Sequence, residues 1–160
     1  MMTNELITAI EAMDPATLEA IGLGFGALIT IGILFALVRY LMISIGYSKM
    51  HRKAGEAGWK AFVPVYNTYN NYKIAWAGKF FYIYAALYIL FSAVSNGTHW
   101  AVQLAAAVSG VALIVVDMKR NIKMAKAFGK GAGTGVALFF FPGITSLVLG
   151  LGKAEMIENN

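Results

Sequence analysis

From Ile21 to Val38 no side chain carries a charge, and the apolar pattern continues past Arg39 to Ile45. Three further stretches are also uncharged: Phe80 to Val94, Trp100 to Val116 and Gly131 to Gly152. The hydrocarbon core of a bilayer is about 30 Å thick, and about 17–25 mostly apolar helical residues cross it. Backbone amides and carbonyls meet no water there, so such runs must satisfy them within helices. The composition fits, at 59% hydrophobic and 13% charged residues, against about 45–50% and 25% in globular domains. The sequence therefore predicts an all-α, polytopic membrane protein forming one domain over 1–160. Four transmembrane helices are expected, over 21–45, 80–95, within 100–128 and over 134–152.

The charges between these runs set an orientation. Residues 46–79 and 118–133 hold eleven of the thirteen lysines and arginines, while six of the eight acids lie in the N-terminal segment and the tail. With four crossings both basic loops share one side, and the positive-inside rule makes that side cytoplasmic. Both termini would then be outside. The net charge of +5 follows from this placement and calls for no nucleic acid. The basic face would instead meet anionic lipid headgroups.

Residues 1–20 are acidic and lack the basic start of a secretory signal peptide. Leu6, Ile7, Ile10 and Met13 fall on one side of a short helix, which would lie on the membrane surface; a frayed terminus is the alternative. Asp14-Pro15 reads as an N-cap followed by proline at the first helical position. Gly22 and Gly26 form a small-xxx-small pair in the first membrane helix, expected to pack within the same chain, with self-dimerisation as the alternative. Ala106 and Gly110 give the third a smooth surface, and such surfaces let helices approach closely in lipid.

The polar stretch 46–79 is expected to be a cytoplasmic elbow with an interfacial helix. Gly46, Gly55 and Gly58 are read as breaks in regular structure, and Pro64 disfavours helical geometry at Val63. Tyr66, Tyr69, Lys73 and Trp76 then recur at helical spacing and favour the headgroup layer. Asn67, Asn70 and Asn71 are expected to face water or cap backbone. Gly55, Gly58, Trp59, Lys60, Pro64, Tyr66 and Asn67 form the candidate interaction surface.

The short turn 95–99 makes the second and third membrane helices an antiparallel hairpin. The third should run on into the cytoplasm along Lys119, Lys123, Lys126 and Lys130, to a C-cap at Gly129. Arg39 and Asp117, each at an inner helix end, form a candidate intramembrane ion pair; two independently snorkelling residues are the alternative. Pro142-Gly143 interrupts the fourth segment. A kinked helix is expected there; a re-entrant pair of half-helices is the alternative. A short polar tail, 153–160, ends the chain.

Lys53-Ala54-Gly55-Glu56-Ala57-Gly58-Trp59-Lys60, followed by Val63-Pro64-Val65-Tyr66-Asn67-Thr68-Tyr69, resembles the signature of a widespread group of small, uncharacterised bacterial integral membrane proteins. The likeness continues in Met124-Ala125-Lys126-Ala127-Phe128-Gly129-Lys130-Gly131. It runs more loosely through Phe141-Pro142-Gly143 and Leu147 to Gly152. In all it spans about residues 37–152. Ala57 stands where the group has proline, and the acidic N-terminus is longer. The resemblance implies a bacterial inner membrane and supplies no catalytic residue. Members are often labelled signal-peptidase-like.

That label implies a serine nucleophile and a neutral lysine on the outer side. Here the outer candidates are Ser95 in a turn and Lys153 in the tail, with no soluble domain to hold substrate. His51 and His99 fall on opposite sides, and the absence of cysteine leaves no zinc set. The glycines from 129 to 135 lack the spacing of a phosphate-binding loop. No metal or cofactor is expected. The sequence supports a non-enzymatic structural or accessory subunit that binds partner membrane helices or copies of itself. A subunit of a channel, transporter or secretion complex is the alternative. Binding of anionic lipid or a cytoplasmic partner through the elbow is the third reading.

Overall fold

A computed structural model describes Glu5, Thr8 and residues 12–157. Its elements are α1 (Pro15–Lys53), a 3-10 turn (Gly58–Phe62), α2 (Pro64–Ala75), α3 (Lys79–Val94), α4 (Trp100–Ala127), α5 (Ala132–Phe140) and α6 (Pro142–Leu151). There is no strand among the described residues. α1 and α4 are long and apolar enough to cross a membrane, with mean hydropathies of 2.5 and 2.0 over their most apolar stretches. α3 and α6 are shorter apolar helices. The chain divides into two compact units, Met1–Arg39 and Tyr40–Asn160.

In the first unit Asp14 caps α1 as expected: the backbone N–H of Thr17 donates to Asp14 Oδ1 at 2.9 Å. Residues 15–39 of the helix are exposed throughout. The expected surface helix through Leu6, Ile7, Ile10 and Met13 lies largely outside the described residues.

The second unit opens on the last part of α1, which does not end at Gly46. The helix runs unbroken to Lys53 because Gly46 serves packing here. A Cβ on Gly46 would lie 2.6 Å from the backbone carbon of Ser146 and 2.7 Å from the backbone nitrogen of Leu147. Gly150 repeats the device from the other side, 2.5 Å from the carbonyl oxygen of Gly46. Gly143 faces Met42 and Ile43 at 3.7 and 3.8 Å. The matching order along both helices means that α6 runs parallel to the end of α1.

α5 packs elsewhere. A Cβ on Gly135 would lie 2.4 Å from Cα of Ile122, so α5 doubles back along α4, from which it emerges. Between α5 and α6, Phe141 has φ −125° and ψ 57° and belongs to neither helix. Pro142 opens α6 at a position where its missing N–H is no loss. The fourth segment is thus a hairpin of two half-helices rather than a kinked helix. At about 1.5 Å per residue the halves are about 13 and 15 Å long, each half of a roughly 30 Å core.

The tail confirms the return. Lys53 Nζ donates to the carbonyls of Leu149 (2.9 Å), Gly152 (2.6 Å) and Ala154 (2.8 Å). The backbone N–H of Ile157 donates to Ala127 at 2.7 Å. Residues 152–157 therefore lie beside the ends of α1 and α4. The expected four crossings would instead put the C-terminus at the opposite end from the elbow.

α3 and α4 form the expected antiparallel hairpin, and Gly110 receives the Phe91 ring at 3.3 Å. Gly129 is left-handed, φ +67°, and ends α4 as expected. Its N–H reaches Lys126 at 2.9 Å, and that of Lys130 reaches Ala125 at 2.9 Å, a Schellman motif. The core gathers Tyr47, Met50, Met124, Phe128, Leu138 and Leu149 where α1, α4 and the hairpin meet; Ala154 and Met156 of the tail pack against it.

Gly46→Val should destabilise the protein by about 2 kcal/mol or more, because backbone cannot yield as a side chain can. Gly24→Val, with open space around it, should be near neutral. Thermal unfolding in matched detergent checks this; equal losses at both positions would contradict the docking of α6.

A candidate interaction platform at the elbow

The elbow begins with a second Schellman motif. Gly55 is left-handed, φ +72°; its N–H reaches Arg52 at 3.1 Å and that of Glu56 reaches His51 at 2.8 Å. Glycine tolerates this geometry where a Cβ would strain it. The chain then turns back over α1. Gly58 is buried, and a Cβ there would meet Arg52 Nε at 2.6 Å and Ser48 Oγ at 2.7 Å. The Tyr40 hydroxyl donates to the Phe62 carbonyl. Val63 is extended, and Pro64 takes the first position of α2.

Of the expected interaction residues, Trp59 and Tyr66 come together edge to face, with centroids 5.7 Å apart, 58% and 51% exposed. Phe62, Val63 and Val65 beside them are also exposed. Lys60 is not a free cation: its Nζ lies 3.0 Å from Glu56 Oε2, and Lys73 binds the other oxygen of the same carboxylate. The hydrogen bonds from Lys73 and Lys60 hold the Glu56 carboxyl below the usual carboxylate range. The same pairing raises the Lys73 ammonium. Glu56 thereby fastens the 3-10 turn to α2.

The asparagine face is inverted relative to expectation. Asn70 and Asn71 are buried and Asn67 is half-buried. His51 is fully buried in α1, with Nε2 2.9 Å from Asn71 Oδ1. That oxygen only accepts, so Nε2–H donates. Asn71 Nδ2 donates in turn to Asn67 Oδ1 at 3.1 Å. His51 Nδ1, both amide atoms of Asn70, the Tyr72 hydroxyl and Arg120 Nε find no partner among the described residues. Buried polar atoms of this kind ordinarily hold ordered water.

Across this seam stands α4. Arg120 binds Asp117 at 2.9 Å, one turn apart, and its guanidinium lies 5.4 Å from the Tyr72 ring centroid. Asn121 donates to Asp117 Oδ2 at 3.2 Å. The partner found on Asp117 is thus Arg120, where Arg39 had been expected; Arg39 itself is exposed in the first unit. Gly110 of the helix-packing set works within the chain, against Phe91. Gly22 and Gly26 have open space around them, and Ala106 is half-buried, its carbonyl accepting from Ser109. An apolar groove of ≈ 410 Å³ separates α2 from α3, with Pro64, Val65 and Thr68 facing Phe81, Tyr84, Ala85, Tyr88 and Ile89.

The elbow therefore presents a rigid aromatic surface over a buried polar seam. Sequence reasoning missed His51, Lys53, Asn70, Asn71 and Asn121. The asparagine spacing of three and four residues was the available signal, since it marks a helix face as surely as the tyrosines do. Residues 59–159 match a family of unknown function (DUF5684). The chain belongs to that family. No curated protein matches it, and no solved structure matches it.

Replacing Glu56 with Gln should remove about 0.5–1.5 kcal/mol of stability. In the parent protein this contribution is present above the ordinary Glu value of 4.5 and is lost as pH falls through the lowered folded value. On the alkaline side it is present below the ordinary Lys value of 10.5 and is lost as pH rises through the raised folded value. Chemical denaturation as a function of pH should show a parent-minus-variant difference confined to that window.

Proposed function

We propose that this is a non-enzymatic accessory or structural subunit of the bacterial inner membrane, which binds partner membrane helices or another copy of itself through the N-terminal part of α1. The observation that carries the reading is an 18-residue stretch of α1 with mean hydropathy 2.5 and no buried residue. It bears Gly22 and Gly26 one turn apart, both with open space around them. In lipid such a face gains contact area only from another helix. A non-catalytic role is favoured by the placement of Ser95 and Lys153. They sit near opposite ends of α4, which is about 42 Å long at ~1.5 Å per residue.

The proposed topology has three crossings, α1, α3 and α4, with α5 and α6 entering to half depth and returning. The two basic loops face the cytoplasm by their charge. The N-terminus is then outside and the C-terminus inside, beside the elbow.

The chain has no cysteine, so single cysteines report cleanly. Gly22→Cys and Gly26→Cys should form disulfide-linked dimers on oxidation in native membranes, or link to one discrete partner, more than Phe25→Cys does. A chain that stays monomeric and unlinked at all three positions would overturn the reading. For topology, Glu155→Cys should react with a membrane-impermeant maleimide only after the cells are permeabilised, while Ser95→Cys reacts in intact cells. Labelling of Glu155→Cys from outside would restore a fourth crossing.

A further inference from the structure

A second groove, of ≈ 350 Å³, is lined by Trp76, Lys119, Ile122, Lys123 and Lys126. The three lysines are spaced four and three residues apart, so they share one face of α4. Like charges at this spacing repel, and no carboxylate lines the groove to offset them. The acids that might have served are engaged: Asp117 by Arg120, Glu56 by Lys60 and Lys73. Among the described residues none of the three lysines makes an ion pair.

The floor of the groove is fixed. Trp76 stacks on Phe80 with centroids 3.7 Å apart and planes 19° apart. Lys123 Nζ sits 4.9 Å from the Trp76 centroid, which holds one ammonium over the ring. The face lies on α4 beyond Asp117, where the uncharged run has ended, and tryptophan favours this headgroup level. Ammonium groups that line one groove, each with three donors and no acceptor, suit the oxygens of a phosphate. We propose that this groove binds a phosphate group, carried by an anionic phospholipid headgroup or free in solution. The proposal does not depend on self-association through α1.

The chain has three tryptophans, so a Trp59→Phe/Trp100→Phe protein reports on Trp76 alone. It would be placed in nanodiscs carrying acyl-brominated phosphatidylglycerol or, at equal mole fraction, acyl-brominated phosphatidylcholine. Quenching of Trp76 should be about threefold stronger with phosphatidylglycerol. Lys119→Gln/Lys123→Gln/Lys126→Gln should abolish the excess, while the charge-matched Lys49→Gln/Lys130→Gln/Lys153→Gln should keep it, with equal helicity by circular dichroism. If millimolar inorganic phosphate removes the excess, the groove takes the phosphate group itself and free phosphate is a competent ligand. If the excess survives, the lipid headgroup is the ligand. Equal quenching by the two lipids overturns the proposal. So does an excess that persists in the groove variant or disappears in the charge-matched one.

Discussion

The ammonium group of Lys53 ties the end of α1 to the end of α6 and the tail that follows it, about a hundred residues later. Its donors go to the carbonyls of Leu149, Gly152 and Ala154. The last carbonyls of a helix have no partner within it, and they lie at the negative end of its dipole. One lysine at the end of α1 therefore satisfies the end of α6 and the first residues of the tail together. The close approach that makes this possible is set lower down, where Gly46 and Gly150 leave no side chain between two backbones. Tail, hairpin and elbow all take their positions from that contact.

The elbow is held together by related devices. Left-handed glycines end α1 and α4 by the same motif, at Gly55 and Gly129. One carboxylate, Glu56, holds two lysines from the turn and from α2. The buried seam beneath uses hydrogen bonds in place of apolar contacts, from His51 through Asn71 to Asn67. His51 Nδ1 and the Asn70 amide have no partner among the described residues, so the seam fixes one arrangement once water completes it.

What was legible from the amino-acid order was whatever is decided locally. Asp14 and Pro15 announce a helix start, Gly129 a stop, and residues 95–99 a tight turn. The long lysine-bearing extension of α4 follows from its spacing alone. The fourth segment was not legible, because Pro142 permits a bend or a reversal. The choice falls to Gly46, Gly135 and Gly150, whose backbone contacts are far apart in sequence. The asparagine face of α2 was misassigned for a similar reason. Polarity favours water unless a polar partner waits inside, and His51 is that partner.

The hairpin of α5 and α6 has a further consequence in the proposed orientation. Helices that penetrate halfway take up area in one leaflet and none in the other. The exposed rings of Phe140 and Phe141 would lie at the tip, near the midplane. In that orientation the hairpin by itself would expand one leaflet and not the other. Its lowest-energy surroundings would be a bilayer whose two leaflets differ in spontaneous curvature.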